Sequence, residues 1–221
     1  GDYELKAPKI IRGLFYFRKQ NQLLVYGKNN YQFRKETKMS VRNISYYAIF
    51  IALAVVAGYF IHFPILPAAP FLLYDPGHVF LLIASFKFGP KAGMIMTLPY
   101  ALIFALLTGQ GGPWGALMNF LSTSAMVMVA SFIYLKKHDR IGAIIGLILG
   151  TLAMTAIMVP ANLVITPLYM GVPRGVVIQL LLPAIIPFNL LKGVLSSILT
   201  LIVYKKISIL LKKQDVVTTR S

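Results

Sequence analysis

The chain of 221 residues contains no cysteine. Disulfides, thiolate metal sites and thiol nucleophiles are therefore excluded. Charge is scarce as well. Only 13% of residues are Asp, Glu, Lys or Arg, where a soluble domain carries about a quarter. The acidic side is thinnest, with six Asp and Glu in all. No carboxylate pair lies within the apolar segments to do acid–base chemistry. The three histidines, His62, His78 and His138, form neither a His-Glu-x-x-His nor a His-x-x-Glu-His pair, and no Gly-x-x-x-x-Gly-Lys phosphate loop occurs. These absences remove the usual routes to metal-assisted hydrolysis and ATP hydrolysis, and they predict a protein that is not an enzyme and holds no metal or cofactor.

What remains is apolar. Hydrophobic residues make up 57% of the chain and the mean hydropathy is +0.73. They fall in long runs, and one helical crossing of a bilayer needs roughly 20 of them. Between Ile44 and Leu211 there is room for about six crossings with short connections. The runs predict spans at Ile44–Phe63, Gly77–Phe88, Ala92–Thr108, Trp114–Leu135, Ile141–Ile165 and Val176–Leu211. The second is short. The sixth is longer than a bilayer needs, and Pro183 and Pro187 are expected to break it or to separate an external loop from the span proper. The loop from Pro64 to Pro76 carries four prolines, so it cannot be one helix, yet it is apolar enough to fold against the bundle. Gly109–Gly115 reads as a turn or a broken helix start.

The net charge of +16 would suggest nucleic acid in a soluble protein. Here the basic residues sit in the gaps between apolar runs, the pattern of cytoplasmic loops and tails, and no nucleic-acid partner is expected. With the amino terminus inside, Lys87, Lys91, Lys136, Lys137, Arg140 and the basic residues after Tyr204 join the ten Lys and Arg of residues 1–43 on the cytoplasmic face. The outside keeps Arg174. Five or seven spans would break this bias. The expected organisation is a basic cytoplasmic tail at 1–43, a six-helix membrane domain at 44–212 and a cytoplasmic tail at 213–221, all in the cell membrane. The first tail reads three ways: a solvated segment, an interfacial one resting on anionic lipid, or a stretch upstream of a natural start at Met39. No cleavable signal peptide is expected in it.

Polar residues inside the apolar runs are the candidates for function. Lys192 is the foremost, because an ionisable group within a span is costly unless it is paired, snorkels or faces a polar cavity. Asp75 is its one plausible acidic neighbour, and only if the first loop folds inward. Asn189 shares a helical face with Lys192. In the fifth run Thr151, Thr155, Asn162 and Thr166 form a stripe, and in the fourth Gly115, Asn119 and Thr123 do. A lone membrane Asn or Thr is more often interhelical glue than a ligand contact. Three stripes in the outer half of the last three spans predict instead a cavity lined by amides, hydroxyls and one ammonium, with Gly112 and Gly115 allowing a flat ligand close to the backbone. In the first span Ala48 and Ala52, and likewise Ala54 and Gly58, are four apart, a spacing that suits close helix contact within the bundle or with a partner.

Several stretches share their order and spacing with a known family: Phe71-Leu-Leu-Tyr-Asp-Pro-Gly, Phe88-Gly-Pro-Lys-Ala-Gly, Gly115-Ala-Leu-Met-Asn-Phe, Asn162-Leu-Val-Ile-Thr-Pro-Leu-Tyr and Pro187-Phe-Asn-Leu-Leu-Lys-Gly. Over roughly residues 40–212 the chain resembles the riboflavin-specific S components of energy-coupling factor (ECF) vitamin transporters, the RibU type. The resemblance implies an all-α bundle of six helices with cytoplasmic termini and an outward-facing site for riboflavin, with its monophosphate FMN as a second ligand. It also implies assembly with a transmembrane coupling subunit and two ABC-type ATPases. It puts ligand contacts at Asn162, Asn189 and Lys192, and backbone contacts near Leu72, Leu73 and Tyr74 and along the turn from Gly112 through Ala116. Ala48 and Ala52 fall where the family meets its coupling subunit. One departure is His78, where the family often has an acidic residue. Riboflavin suits such a site: its polar edge offers two carbonyls and one N–H, which amides can pair both ways and an ammonium only as donor. The competing readings are an S component for thiamine, biotin or folate, an intramembrane enzyme, and a self-sufficient transporter with inverted repeats. No acid-rich pocket, His–carboxylate cluster or clear internal repeat speaks for these.

Overall fold

The computed structural model describes residues 41–218 other than 68, 71 and 110, with side chains described from Asn43 to Tyr204. The basic tail before residue 41 and the last three residues lie outside the described residues. Helix α1 spans Val41–Phe60, so residues 41–43 begin the helix rather than end a tail. A two-residue hairpin follows, β1 (Phe63–Pro64) against β2 (Leu73–Tyr74), with Phe63 opposite Tyr74 and Pro64 opposite Leu73. Then come α2 (Gly77–Phe88), α3 (Pro90–Thr108), α4 (Gly112–Lys136) and α5 (Arg140–Met170). The last segment is α6 (Arg174–Leu180), one π turn (Leu181–Ile185) and α7 (Ile186–Thr218).

Among the described residues, five helical segments have the length and apolarity to cross a bilayer: Asn43–Phe60, Pro90–Thr108, Gly112–Lys136, Arg140–Met170 and Arg174–Tyr204. Helix α2 has 12 residues, about 18 Å at 1.5 Å per residue, well short of a hydrocarbon core of about 30 Å. It is the inner helix. Eight of its residues are buried, among them Leu81, Leu82 and Ala84 at full burial. The longer helices instead expose large apolar side chains along one side, such as Leu98, Leu102 and Leu106 on α3 and Ile141, Ile144 and Ile148 on α5. A bilayer accommodates such faces; water does not.

The tightest seam is between α4 and α5, and small residues make it. A Cβ on Gly146 would sit 2.6 Å from the Ala130 carbonyl oxygen, and one on Gly150 would sit 2.8 Å from that of Met126. With lipid as apolar as leucine, such backbone proximity supplies the dispersion contact that holds membrane helices together. The Asp139 side chain starts α5 by accepting from Gly142 N at 2.6 Å.

The last two spans depart from the sequence expectation. Helix α5 does not stop at Ile165 but runs through Pro160 and Pro167 to Met170. Pro183 and Pro187 do not open a loop. The helix absorbs them with the π turn at Leu181–Ile185, where the 3.6-residue repeat is locally relaxed. At its far end α7 continues past Leu211 to Thr218.

Element order also sets the two ends of the bundle. The basic turns at Lys87/Lys91 and Lys136–Arg140 close one end. The amino terminus of α4, the carboxyl ends of α3 and α5, and the β1–β2 loop meet at the other.

Candidate functional site

At that second end lies a cavity of about 180 Å³. Four elements bring polar groups to it. Helix α4 contributes Asn119 and Ser122, α5 contributes Asn162 and Thr166, α7 contributes Asn189 and Lys192, and the loop after β2 contributes Asp75. Apolar walls come from Phe104 on α3, Trp114 and Met118 on α4, Met158 and Ile165 on α5, Ile185 and Phe188 around the π turn, and Leu72 and Leu73 of the loop.

The loop does fold inward. Lys192 Nζ donates to Asp75 Oδ2 at 3.1 Å, with the two side chains 8% and 2% exposed. Asp75 Oδ1 accepts from Gly77 N at 3.1 Å and from the Tyr100 hydroxyl. Burial alone would raise the Asp75 pKa. Burial is the largest single influence, and the Lys192 ammonium, the nearby His78 and the hydrogen bonds from Tyr100 and Lys192 together overcome it and hold the carboxyl at about 2 against an ordinary 3.8. Gly77 makes the Tyr100 contact possible, because a Cβ there would collide with the Tyr100 hydroxyl. Lys192 therefore does not snorkel. It is paired, and the remaining ammonium hydrogens are available to the cavity.

The three asparagines are each oriented by a neighbour. Asn189 Nδ2 donates to the Ile185 carbonyl at 2.8 Å, which leaves its Oδ1 free to accept. Ile185 closes the π turn, so the irregular backbone and the amide are locked together. Asn162 Nδ2 donates to Met158 O at 2.7 Å and its Oδ1 accepts from Thr166 Oγ1 at 2.9 Å. That leaves one N–H and one lone pair for a ligand. Asn119 Oδ1 accepts from Thr123 Oγ1 at 3.1 Å and lies 3.1 Å from His78 Nε2, which is itself 2.6 Å from Thr123 Oγ1. Asn162 and Asn189 are buried and Asn119 is half-buried. The site can thus both donate to and accept from a polar ligand edge.

Some expected residues lie elsewhere. Tyr74 is 3% exposed, packs its ring on Phe63 with centroids 5.7 Å apart, and does not line the cavity. Strand alternation is the reason: Leu73 and Tyr74 point to opposite sides of the hairpin. Gly112 and Ala116 also miss it. Because α4 already begins at Gly112, the facing stripe is Gly111, Gly115, Met118, Asn119 and Ser122, and positions 112 and 116 turn away. Thr151 and Thr155 bond carbonyls of their own helix, Leu147 O and Thr151 O, both at 2.9 Å, and lie below the cavity. Thr123 serves His78 and Asn119 rather than the lumen.

Other lining residues went unpicked in the sequence. Met158, Ile165 and Tyr169 extend the Asn162 stripe at helical spacing, as Ile185 and Phe188 extend that of Asn189. Following each stripe through its apolar members finds them. Phe104 and Ala105 on α3 carry no sequence signal, and only packing brings them in.

The small residues of α1 separate into two faces. Ala54 and Gly58 are buried, and a Cβ on Gly58 would meet the Phe104 ring at 3.0 Å. Ala48 and Ala52 are exposed, on a helix that buries only 17% of its span.

Comparison with known proteins follows the same lines. The family model described as "ECF transporter, substrate-specific component" matches residues 42–204. The riboflavin transporter RibU of Staphylococcus aureus is 34% identical over 165 residues, covering 70% of this chain and 84% of that protein. The RibU of Streptococcus thermophilus is 32% identical over 184 residues, covering 79% and 86%. A solved structure of the S component of a bacterial ECF transporter superposes with a TM-score of 0.67 at 34% identity, covering 77% of this chain and 98% of that one.

Proposed function

This chain belongs to the substrate-specific components of ECF transporters, and on that premise we propose that its cavity captures riboflavin for import driven by partner subunits. The protein is a multi-pass membrane protein of the cell membrane. The observation that carries the ligand is the convergence of Asn162, Asn189 and Lys192 on one cavity whose other walls are Trp114, Met118, Phe104 and Phe188. A neutral aromatic ring system with one apolar edge and one edge of two carbonyls and an N–H matches that division. The amides of Asn162 and Asn189 can pair carbonyl and N–H, and the spare hydrogens of Lys192 suit a carbonyl or the ring nitrogen beside it. Leu72 and Leu73 are placed to cover the apolar edge. The relatives named for riboflavin support this choice.

In this reading α2 completes a bundle of six helices, with both termini in the cytoplasm. The basic turns lie at the end away from the cavity, so positive charge inside puts the cavity outside. The exposed Ala48 and Ala52 face is offered to the coupling subunit, which associates with two ABC-type ATPases. The chain itself is a binding subunit and not an enzyme.

The test is direct. Protein purified in mild detergent from riboflavin-fed cells is expected to carry a yellow flavin, and the stripped protein to rebind riboflavin at low concentration. Parallel titration with FMN separates the two ligands. Stripped, folded protein that binds neither overturns the proposal.

A further inference from the structure

His78 is fully buried, does not line the cavity and so touches no ligand in the reading above. Its surroundings nevertheless bear on what the cavity can bind, through Asn119, which lines the cavity and turns its carbonyl oxygen toward Thr123 and His78. That oxygen can only accept, so both neighbours must supply hydrogens. Thr123 Oγ1 donates to it at 3.1 Å and can in turn accept from His78 at 2.6 Å. Nε2 faces two oxygens, Thr123 Oγ1 at 2.6 Å and Asn119 Oδ1 at 3.1 Å. A bare lone pair there would repel the amide oxygen, so the proton belongs on Nε2. His78 Nδ1 has no partner among the described residues. A buried orphan is better tolerated as a lone pair than as an N–H.

We propose that His78 is a positioning residue, held as the Nε2–H tautomer, that locks the Asn119 amide with its amino group toward the cavity and so makes this wall a hydrogen-bond donor. Together with Lys192 it selects a ligand edge that presents acceptors, such as ring carbonyls or unprotonated ring nitrogens, and rejects one that presents N–H groups at this place. With the amide reversed and the proton on Nδ1, the same residues would offer an acceptor and bury an unpaired N–H.

Two measurements test this on the full-length protein. The first needs no ligand: nitrogen chemical shifts of isotope-labelled histidine, with His78 assigned by comparison with His62→Gln and His138→Gln protein, report the tautomer. Neutral Nε2–H at neutral pH is expected. Nδ1–H, or an imidazolium, overturns the proposal. The second rests on the flavin reading and is a double-mutant cycle with riboflavin as probe. His78→Leu is expected to weaken binding about tenfold when Asn119 is present, the scale of one lost buried hydrogen bond, and to have no further effect in Asn119→Ala protein. His78→Gln, which keeps a donor, is expected to restore binding to within about threefold. Equal losses from His78→Leu in both backgrounds overturn the proposal. If the unmodified protein binds no riboflavin, the functional reading fails and the tautomer still decides this one.

Discussion

Lys192 and Asp75, 117 positions apart in sequence, form a buried ion pair with Nζ to Oδ2 at 3.1 Å. The pair ties the short segment between β2 and α2 to the last helix and forms part of the cavity wall. Breaking one side of a buried pair strands the other charge, a loss of about 3–5 kcal/mol. Lys192→Met or Asp75→Asn alone is therefore expected to lower the unfolding temperature in detergent markedly. The double variant, which buries no charge, is expected to recover a large part of that loss. Full additivity of the two single effects would show that the charges do not act as a pair.

The same carboxylate predicts a pH response. Its folded-state pKa, about 2, lies below the ordinary 3.8. A depressed carboxylate contributes stability that is fully present above its unfolded value and is lost as pH falls through the folded one. The Asp75 contribution is thus expected to be constant from neutral pH down to about 4 and to disappear between about 4 and 2. The difference in unfolding temperature between the parent protein and Asp75→Asn, followed by thermal melts, should shrink over that window and no higher.

Ligand affinity is expected to depend on Asn162 and Asn189 unequally. Asn189 leaves its carbonyl oxygen free, whereas that of Asn162 already accepts from Thr166. Asn189→Ala should weaken riboflavin binding by about ten- to a hundredfold and Asn162→Ala by about tenfold. Flavin fluorescence titration measures both.

Trp114 is the sole tryptophan and lines the cavity. Riboflavin binding is expected to quench most of the intrinsic tryptophan emission, since the flavin ring would lie beside the indole. Trp114→Phe protein should lose the signal while retaining flavin binding by absorbance. Unchanged Trp emission at saturating ligand would place the flavin elsewhere.

The two small-residue faces of α1 should behave differently. Ala52→Leu adds bulk to an exposed face and is expected to leave folding and riboflavin binding intact while reducing co-purification of the coupling subunit. Ala54→Leu forces bulk into a fully buried position and should destabilise the protein itself by about 1–3 kcal/mol, seen as a lower unfolding temperature in the isolated subunit.

Much of the architecture was legible before any coordinates. Runs of apolar residues located α1, α3, α4 and the start of α5 to within a few positions because hydrocarbon demands a minimum helix length and internal pairing of the backbone. The polar positions Asn119, Asn162, Asn189 and Lys192 stood out for the same reason, as groups in the wrong solvent. The prolines of the last span misled: Pro183 and Pro187 look like a break, yet a π turn takes them in without leaving the helix. Tyr74 misled through register, since a one-residue step along a strand reverses the face.

By itself the sequence determined that this is a membrane bundle, which loops carry positive charge, and which side chains need a polar setting, because each of these follows from local transfer of residues between water and lipid. Tertiary structure alone decided which polar groups meet. Helical spacing says that Asn189 and Lys192 share a face; it cannot say that Asp75 folds in from the first loop to pair with Lys192. Nor can it say that Tyr100 donates to that carboxylate, or that Asn119, Thr123 and His78 meet in one cluster. Those relations join distant parts of the chain, and their physical cause is the low-dielectric interior, in which each buried donor or acceptor must find its partner wherever packing brings one within about 3 Å.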